Sequence, residues 1–226
     1  MLGHGLSFQT GPLLQPVIPM NLQPIALAAL LTSFLATPAW SASIVDVTVT
    51  GRLTPDACHV ELSEEGIVDH GKIPTHVLNG DEFTVLPSLL LELSVQCTRP
   101  MLFALVGIDN RSASALAPGV YGLGTNLHAP DERLGSVALS YRNPIGDAQP
   151  MQVLTSLDNG ETWTPRPNAE PKVFAGFALP GDRQPDFIRQ LTTQLQVETT
   201  LNVANDLTLN QEVPLDGSIV LDLRYL

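Results

Sequence analysis

The sequence predicts an all-β protein, a β-sandwich with one disulfide bond, preceded by an export signal. Three observations support this fold class: segments of alternating hydrophobicity, 19 Pro and 17 Gly among 226 residues, and an uncharged apolar stretch near the amino terminus. Alternation with period two is typical of strands buried on one face, whereas Pro and Gly favour abrupt turns between short strands. The 44% hydrophobic content excludes a disordered chain.

The amino-terminal segment has the composition of a signal peptide. Residues 1–42 contain no Asp, Glu, Lys or Arg, and the apolar run at 25–36 is too short to cross a bilayer. We therefore predict a signal peptide over residues 1–42 and a single exported domain over residues 43–226, with no membrane span after processing. Met20 is an alternative start, which would leave residues 1–19 untranslated. A helix of a cytosolic protein is the competing interpretation of the apolar run.

Cys58 and Cys97 are the only cysteines, and both lie in the exported part. An oxidising compartment would join them into a disulfide, which stabilises a loop of this length by about 3 to 4 kcal/mol in the loop-entropy model. Two alternatives are weaker. A zinc site needs two further ligands, whereas the histidines are scattered singly, and a catalytic cysteine needs a free thiolate.

Alternating segments predict the first strands in chain order. One begins near Ile44 and runs toward Cys58, and the next covers residues 89–97. In the second strand one face is apolar throughout, formed by Leu89, Leu91, Leu93, Val95 and Cys97. A bridge between the cysteines would therefore hold these two strands together. Further strands are predicted at 101–108, 136–141 and 151–157.

The last strands follow the same rule. Turns are predicted at Asn143-Pro144 and at Asp158-Asn159-Gly160, and a long alternating strand at 190–201. After the turn at Asp216-Gly217 the chain ends in a strand. In this strand Ser218, Asp222 and Arg224 point one way, and the opposite face carries Ile219, Leu221, Leu223 and Tyr225.

Several function classes are disfavoured by composition and motifs. The net charge is −12 and no stretch clusters Lys or Arg, so nucleic acid is not an expected partner. No nucleophile elbow, phosphate-binding loop or zinc-protease helix motif is present, so we predict no enzyme, cofactor or metal. Glu64-Glu65 and Asp131-Glu132 are interpreted as solvated loop charges rather than glycosidase carboxylates or calcium ligands. SLDNGETW at 156–163 resembles an Asp-box and is interpreted as a turn.

Several segments resemble known families. VTVTGRLTPDAC (47–58), LPSLLLELSVQC (86–97) and PLDGSIVLDLRYL (214–226) resemble chaperone-usher pilins. The chain is also similar to the fimbrial-like domain-of-unknown-function 1120 family of Gram-negative bacteria. That likeness lies in VDHGKI (68–73), FALVGIDNR (103–111), YGLGTN (121–126) and LDNGETW (157–163).

The pilin resemblance implies an immunoglobulin-like sandwich that lacks its last strand. A periplasmic chaperone, and then neighbouring fimbrial subunits, would supply that strand beside the terminal one, at Ile219, Leu221, Leu223 and Tyr225. The expected role is a structural or adhesive subunit in the periplasm or on the cell surface. Residues 44–50 would be the donor strand, or the chain would cap a fibre tip or stay periplasmic. Two rivals remain: a self-contained secreted binding module, with carbohydrate as one candidate ligand, and a hydrolase with an unrecognised site.

Overall fold

The computed structural model describes residues 57–226, and these lie within one compact unit. The predicted signal peptide at 1–42 and the strand expected at 44–50 lie outside the described residues. The strands are β1 (Cys58–Leu62), β2 (Thr84–Val85), β3 (Leu89–Met101), β4 (Phe103–Asp109), β5 (Tyr121–Gly122), β6 (Thr125–Asn126), β7 (Ala129–Arg133), β8 (Gly135–Gly146), β9 (Gln149–Pro150), β10 (Gln152–Ser156), β11 (Thr164–Pro165), β12 (Phe174–Ala178), β13 (Ile188–Leu201) and β14 (Ile219–Tyr225).

The strands form two main antiparallel sheets and a small hairpin. The first sheet has the order β1-β3-β13-β8-β5, with β2 added to β13 and β9 added to β8. The second sheet has the order β11-β10-β12-β4-β14, and β6 pairs with β7. Short 3-10 turns occupy Ser63–Gly66, Thr75–Val77, Ser112–Ser114 and Ala204–Asp206. The predicted all-β sandwich is confirmed. Within residues 57–226 no helix is long and apolar enough to span a membrane.

The core lies between the two sheets and is built from alternate residues of the long strands. In β3 the buried residues are Leu91, Leu93, Val95 and Cys97, as the period-two pattern predicts. In β13, Leu191, Leu195, Val197 and Leu201 are buried. Two aromatic contacts join β4, β8 and β12. The ring centroids of Tyr141 and Phe177 lie 5.5 Å apart in an edge arrangement, and Phe103 lies 6.5 Å from Phe177.

One predicted turn is wrong. Asn143-Pro144 lies inside β8, where the register to β13 shifts between Thr192 and Gln194, so these residues form a β-bulge. Asn143 has a φ of 50°, which lets the extra residue fit without ending the strand. The chain reverses a few residues later at Asp147-Ala148, where both residues have positive φ and Gly146 pairs with Gln149. This geometry is the two-residue hairpin turn that matches strand twist.

Candidate functional site

The candidate site is the free edge of β14 together with the groove beside it. β14 pairs with β4 and, among residues 57–226, with no other strand, so it ends the second sheet. Ile219, Leu221 and Leu223 are partly buried against the core, as predicted. Tyr225 was predicted on the same face, but half of it is exposed to solvent.

The hydrogen bonds at the two ends of β14 show which of its backbone groups face away from β4. The carbonyl of Ser218 accepts from the amide of Asn110 at 3.0 Å, and the amide of Leu226 donates to the carbonyl of Leu102 at 3.1 Å. In an antiparallel pair the bonded positions recur every second residue, so the even-numbered positions 218 to 226 bond to β4. The N–H and C=O groups of the residues between them therefore face away from β4; these are Ile219, Leu221, Leu223 and Tyr225.

The groove runs between the two sheets beside β14 and is largely apolar. Its volume is about 350 Å³, and β1, β3, β8 and β13 contribute to its floor and far wall. Aliphatic side chains dominate its lining, including Leu62, Leu91, Leu139, Leu195, Val197, Ile219 and Leu221. His70 and Thr199 are the polar side chains of the lining, and the Nε2 of His70 lies 2.8 Å from the hydroxyl of Thr199. The groove thus places apolar surface next to free backbone groups, the combination that an added strand requires.

The edge strand β1, across the groove from β14, is fixed by a disulfide and by a hydrogen bond to a tyrosine of β14. Cys58 and Cys97 are bonded, as predicted, and they are paired neighbours on β1 and β3 with Cα atoms 3.9 Å apart. The bridge therefore lies within the first sheet and fastens its edge strand. The backbone amide of Cys58 donates to the hydroxyl of Tyr225 at 2.8 Å, which links the edges of the two sheets.

The chain before β14 is anchored by a bidentate ion pair. The guanidinium of Arg111 donates to both carboxylate oxygens of Asp216, at 2.8 and 3.0 Å. These hydrogen bonds lower the pKa of Asp216 below its ordinary value. Asp109 accepts from the amides of Arg111 and Gly122, at 2.7 and 2.9 Å, and so joins the end of β4 to β5. Sequence reasoning missed these contacts because the two halves of the ion pair lie 105 positions apart.

The chain is similar in sequence to one family model and to one curated protein. Residues 47–131 match the family model described as protein of unknown function (DUF1120). Protein GltF of Escherichia coli (strain K12) is 23% identical over 244 residues, covering 88% of this chain and 95% of GltF. The predicted family resemblance is therefore confirmed.

The DUF1120 match covers both cysteines and the motifs FALVGIDNR and YGLGTN. In the structure these two motifs pack together: β4 carries Gly107, and the hydroxyl of Tyr121 lies against it and donates to the carbonyl of Ala169 at 2.8 Å. Burial raises the pKa of the Tyr121 hydroxyl, so it remains a hydrogen-bond donor. The match ends before LDNGETW and before β14.

The LDNGETW segment, which is the predicted turn, folds as a tight loop around Asp158. The carboxylate accepts from the hydroxyls of Ser156 and Thr162, both at 2.6 Å, and from the amide of Thr162 at 2.9 Å. These bonds lower the pKa of Asp158 well below its ordinary value. Gly160 has a φ of 98°, and the indole N–H of Trp163 donates to its carbonyl at 3.0 Å. The side chains of Asp158, Thr162 and Trp163 are thus bonded within the turn.

The acidic pairs take two different roles. Glu64 and Glu65 are exposed on the turn that follows β1, with φ values of 50° and 54°. Glu132 instead holds the segment before β14: its carboxylate accepts from the amide and the hydroxyl of Thr208, at 2.7 and 2.6 Å, and from Asn126 at 2.8 Å. These bonds lower the pKa of Glu132. Within the described part of the chain, no group of three or more His, Cys, Asp or Glu side chains could hold a metal ion.

Proposed function

We propose that this protein is a non-enzymatic, fimbrial-like subunit that is completed by a β-strand from another protein. Export to the periplasm is part of the proposal, since the disulfide requires an oxidising compartment. A periplasmic pilus chaperone would supply the strand first, and a neighbouring subunit on the cell surface would replace it. The observation that carries the proposal is that the outer edge of β14 has no strand partner among residues 57–226 and lies beside an apolar groove.

The features of the β14 edge favour pairing with a further strand over exposure to solvent. Natural sheets protect their edges with charges, proline or bulges, because a free edge is a template for another chain. β14 has seven residues, no proline and no register shift against β4. Its charges, Asp222 and Arg224, form an ion pair at 2.7 Å on the face directed away from the groove. The edge thus retains the features that strand addition uses.

The test is co-expression in the periplasm of a Gram-negative host with and without a pilus chaperone. We expect the chain alone to give low soluble yield, and the pair to elute as a 1:1 complex in size-exclusion chromatography. Leu221→Asp should abolish the complex because it puts a charge into the groove. Val220→Asp is the matched control, since Val220 is 47% exposed on the opposite face of the same strand.

Leu221 also packs on the core. Leu221→Asp could therefore lose the complex because the subunit no longer folds, and not because the groove rejects the donated strand. A chaperone whose donated strand carries Asp at its apolar positions avoids this problem because the subunit is unchanged. It should fail to form the complex with the wild-type chain. The proposal is contradicted if the chain alone is soluble and folds cooperatively but forms no complex with the chaperone. That result would favour a self-contained binding module.

A further inference from the structure

Two Asn-Gly dipeptides occur in the chain, Asn79-Gly80 and Asn159-Gly160. At such a pair the backbone nitrogen of glycine can attack the side-chain carbonyl carbon of asparagine, because glycine has no side chain that obstructs the approach. The attack requires a glycine amide that is not held in another hydrogen bond and an asparagine that water can reach. The hydrogen bonds of the two sites therefore decide which of them can react.

Asn159-Gly160 lies in the tight loop around Asp158, where the attack is blocked. The amide of Gly160 donates to the hydroxyl of Ser156 at 2.8 Å, and Asn159 has a φ of 59°. The same hydroxyl donates to the carboxylate of Asp158 at 2.6 Å. The nitrogen that would have to attack is thus part of the network that shapes the loop.

Asn79-Gly80 has a different environment. The dipeptide is exposed and lies between the 3-10 turn Thr75–Val77 and β2. The amide of Gly80 donates no hydrogen bond within residues 57–226. The nearest atoms to a Cβ at position 80 would be those of the Asn205 side chain, at 3.4 Å or more, so the space around Gly80 is open. The attacking nitrogen is therefore free.

The other contacts of Asn79 hold its backbone more firmly than its side chain. The backbone amide donates to the hydroxyl of Thr84 at 2.8 Å. The side-chain amide makes one bond, to the carbonyl of Phe83 at 3.2 Å. Because this distance is at the long end of the range for N–H···O bonds, the bond restrains the side chain only weakly.

We propose that Asn79 is a site of spontaneous deamidation and that Asn159 is protected while the protein is folded. The amide nitrogen of Gly80 loses its proton to water or hydroxide and forms a bond with Cγ of Asn79. The bond between Cγ and Nδ2 breaks, and this nitrogen leaves as ammonia. Water then opens the succinimide ring at either of its carbonyl carbons, which gives aspartate or isoaspartate. The net change adds one water and releases one ammonia, and it requires no oxidant or further reactant.

The modification acts on a contact between two loops. The carbonyls of Asn79 and Gly80 accept from the amides of Ala204 and Asn205, at 2.9 and 3.2 Å. Isoaspartate directs the chain through the side-chain carbons and so lengthens the backbone by one methylene group at this contact. Either product also adds a carboxylate close in sequence to Asp81, which accepts from the side chain of Asn205 at 3.0 Å. Deamidation therefore loosens the contact and, with it, the pairing of β2 with the end of β13.

The inference goes beyond the proposed function, since none of these residues belongs to β14 or lines the groove beside it. The test incubates the folded exported chain in a mildly alkaline buffer and follows both sites by peptide mass spectrometry, with chromatographic separation of aspartate and isoaspartate forms. We expect deamidation to be several-fold faster at Asn79 than at Asn159. In urea the two sites should react at similar rates, because unfolding releases the amide of Gly160. The inference is overturned if Asn159 reacts as fast as Asn79 in the folded chain, or if Asn79 reacts only in urea.

Two variants test the physical cause. Ser156→Ala removes the acceptor of the Gly160 amide and should raise the rate at Asn159 several-fold without changing the rate at Asn79. Gly80→Ala adds a side chain to the attacking residue and should lower the rate at Asn79 several-fold. Thermal unfolding checks that each variant is folded. Unchanged rates in the folded variants would show that access to the glycine nitrogen does not distinguish the two sites.

Hydrogen exchange measures the effect on the loops after ion-exchange chromatography has separated the modified from the unmodified protein. The amides of Ala204 and Asn205 should exchange several-fold faster in the isoaspartate form. Asn79→Asp is the matched control, because it adds the charge without lengthening the backbone, and its effect should be smaller. Equal exchange in the isoaspartate and unmodified forms would contradict the loosening of the contact.

Discussion

Gly107 in the middle of β4 lies directly beneath the hydroxyl of Tyr121, and a Cβ atom at position 107 would overlap that hydroxyl. The tyrosine is fully buried and its hydroxyl is bonded to the carbonyl of Ala169. It cannot move aside without leaving a buried polar group unpaired. The contact therefore fixes the positions of β5 and of the segment around Ala169 relative to β4, the strand with which β14 pairs.

This contact predicts that Gly107→Ala destabilises the protein by about 1 to 3 kcal/mol, the usual cost of overpacking. Urea unfolding followed by circular dichroism measures the change. Gly80→Ala is the matched control, because a Cβ there meets only the side chain of Asn205 at 3.4 Å, an ordinary contact. Equal stability of the two variants would contradict the overlap.

Hydrogen exchange should report the alternation along β14. We expect the amides of Val220, Asp222, Arg224 and Leu226 to be protected, because they face β4. The amides of Ile219, Leu221 and Leu223 should exchange faster, and they should become protected when a chaperone binds. Residue-resolved NMR makes the comparison, with the central amides of β13 as an internal reference for full protection. Uniform protection along β14 in the free protein would mean that its edge is already covered.

The disulfide should stabilise both the fold and the rim of the groove. Replacing both cysteines by alanine should lower the free energy of unfolding by about 2 to 4 kcal/mol. It should also weaken the complex with the chaperone, because β1 is an edge strand that lines the groove opposite β14. Urea unfolding and size-exclusion chromatography of the co-expressed pair measure the two effects. Val60→Ala, on β1 between the cysteine and the turn, is a control that leaves the bridge intact.

The strands with strict alternation could be predicted from sequence, including the buried faces of β3 and β13, because period two depends only on neighbouring residues. The disulfide followed from the number of cysteines and the export signal. The bulge at Asn143 could not be predicted, since Asn-Pro favours a turn and only the pairing with β13 keeps β8 extended. The hydrogen bond between the amide of Cys58 and the hydroxyl of Tyr225 could not be predicted from the sequence either. Alternation placed Tyr225 among the inward residues but could not show that its hydroxyl spans the two sheets.

Acid should destabilise the protein through carboxylates whose pKa is lowered in the folded state. The pKa is lowered at Asp158, Glu132 and Asp216, in each case because the charged carboxylate accepts hydrogen bonds. A carboxylate with a depressed folded pKa stabilises the fold above its unfolded pKa, and this stabilisation is lost as pH falls through the folded value. The loss should therefore begin near the ordinary pKa of 4.5 for Glu132 and near 3.8 for the two aspartates, and it should increase at lower pH.

Asp158 provides the clearest test, because its carboxylate accepts three hydrogen bonds within one turn. The midpoint of urea unfolding should fall more gently with acid in Asp158→Asn than in the wild type, since the variant has already lost the titrating group. At pH 7 the variant should be less stable than the wild type, and the two curves should converge as pH falls. Glu161→Gln, in the same turn, should leave the profile unchanged. Parallel profiles for Asp158→Asn and the wild type would show that the turn does not contribute to acid sensitivity.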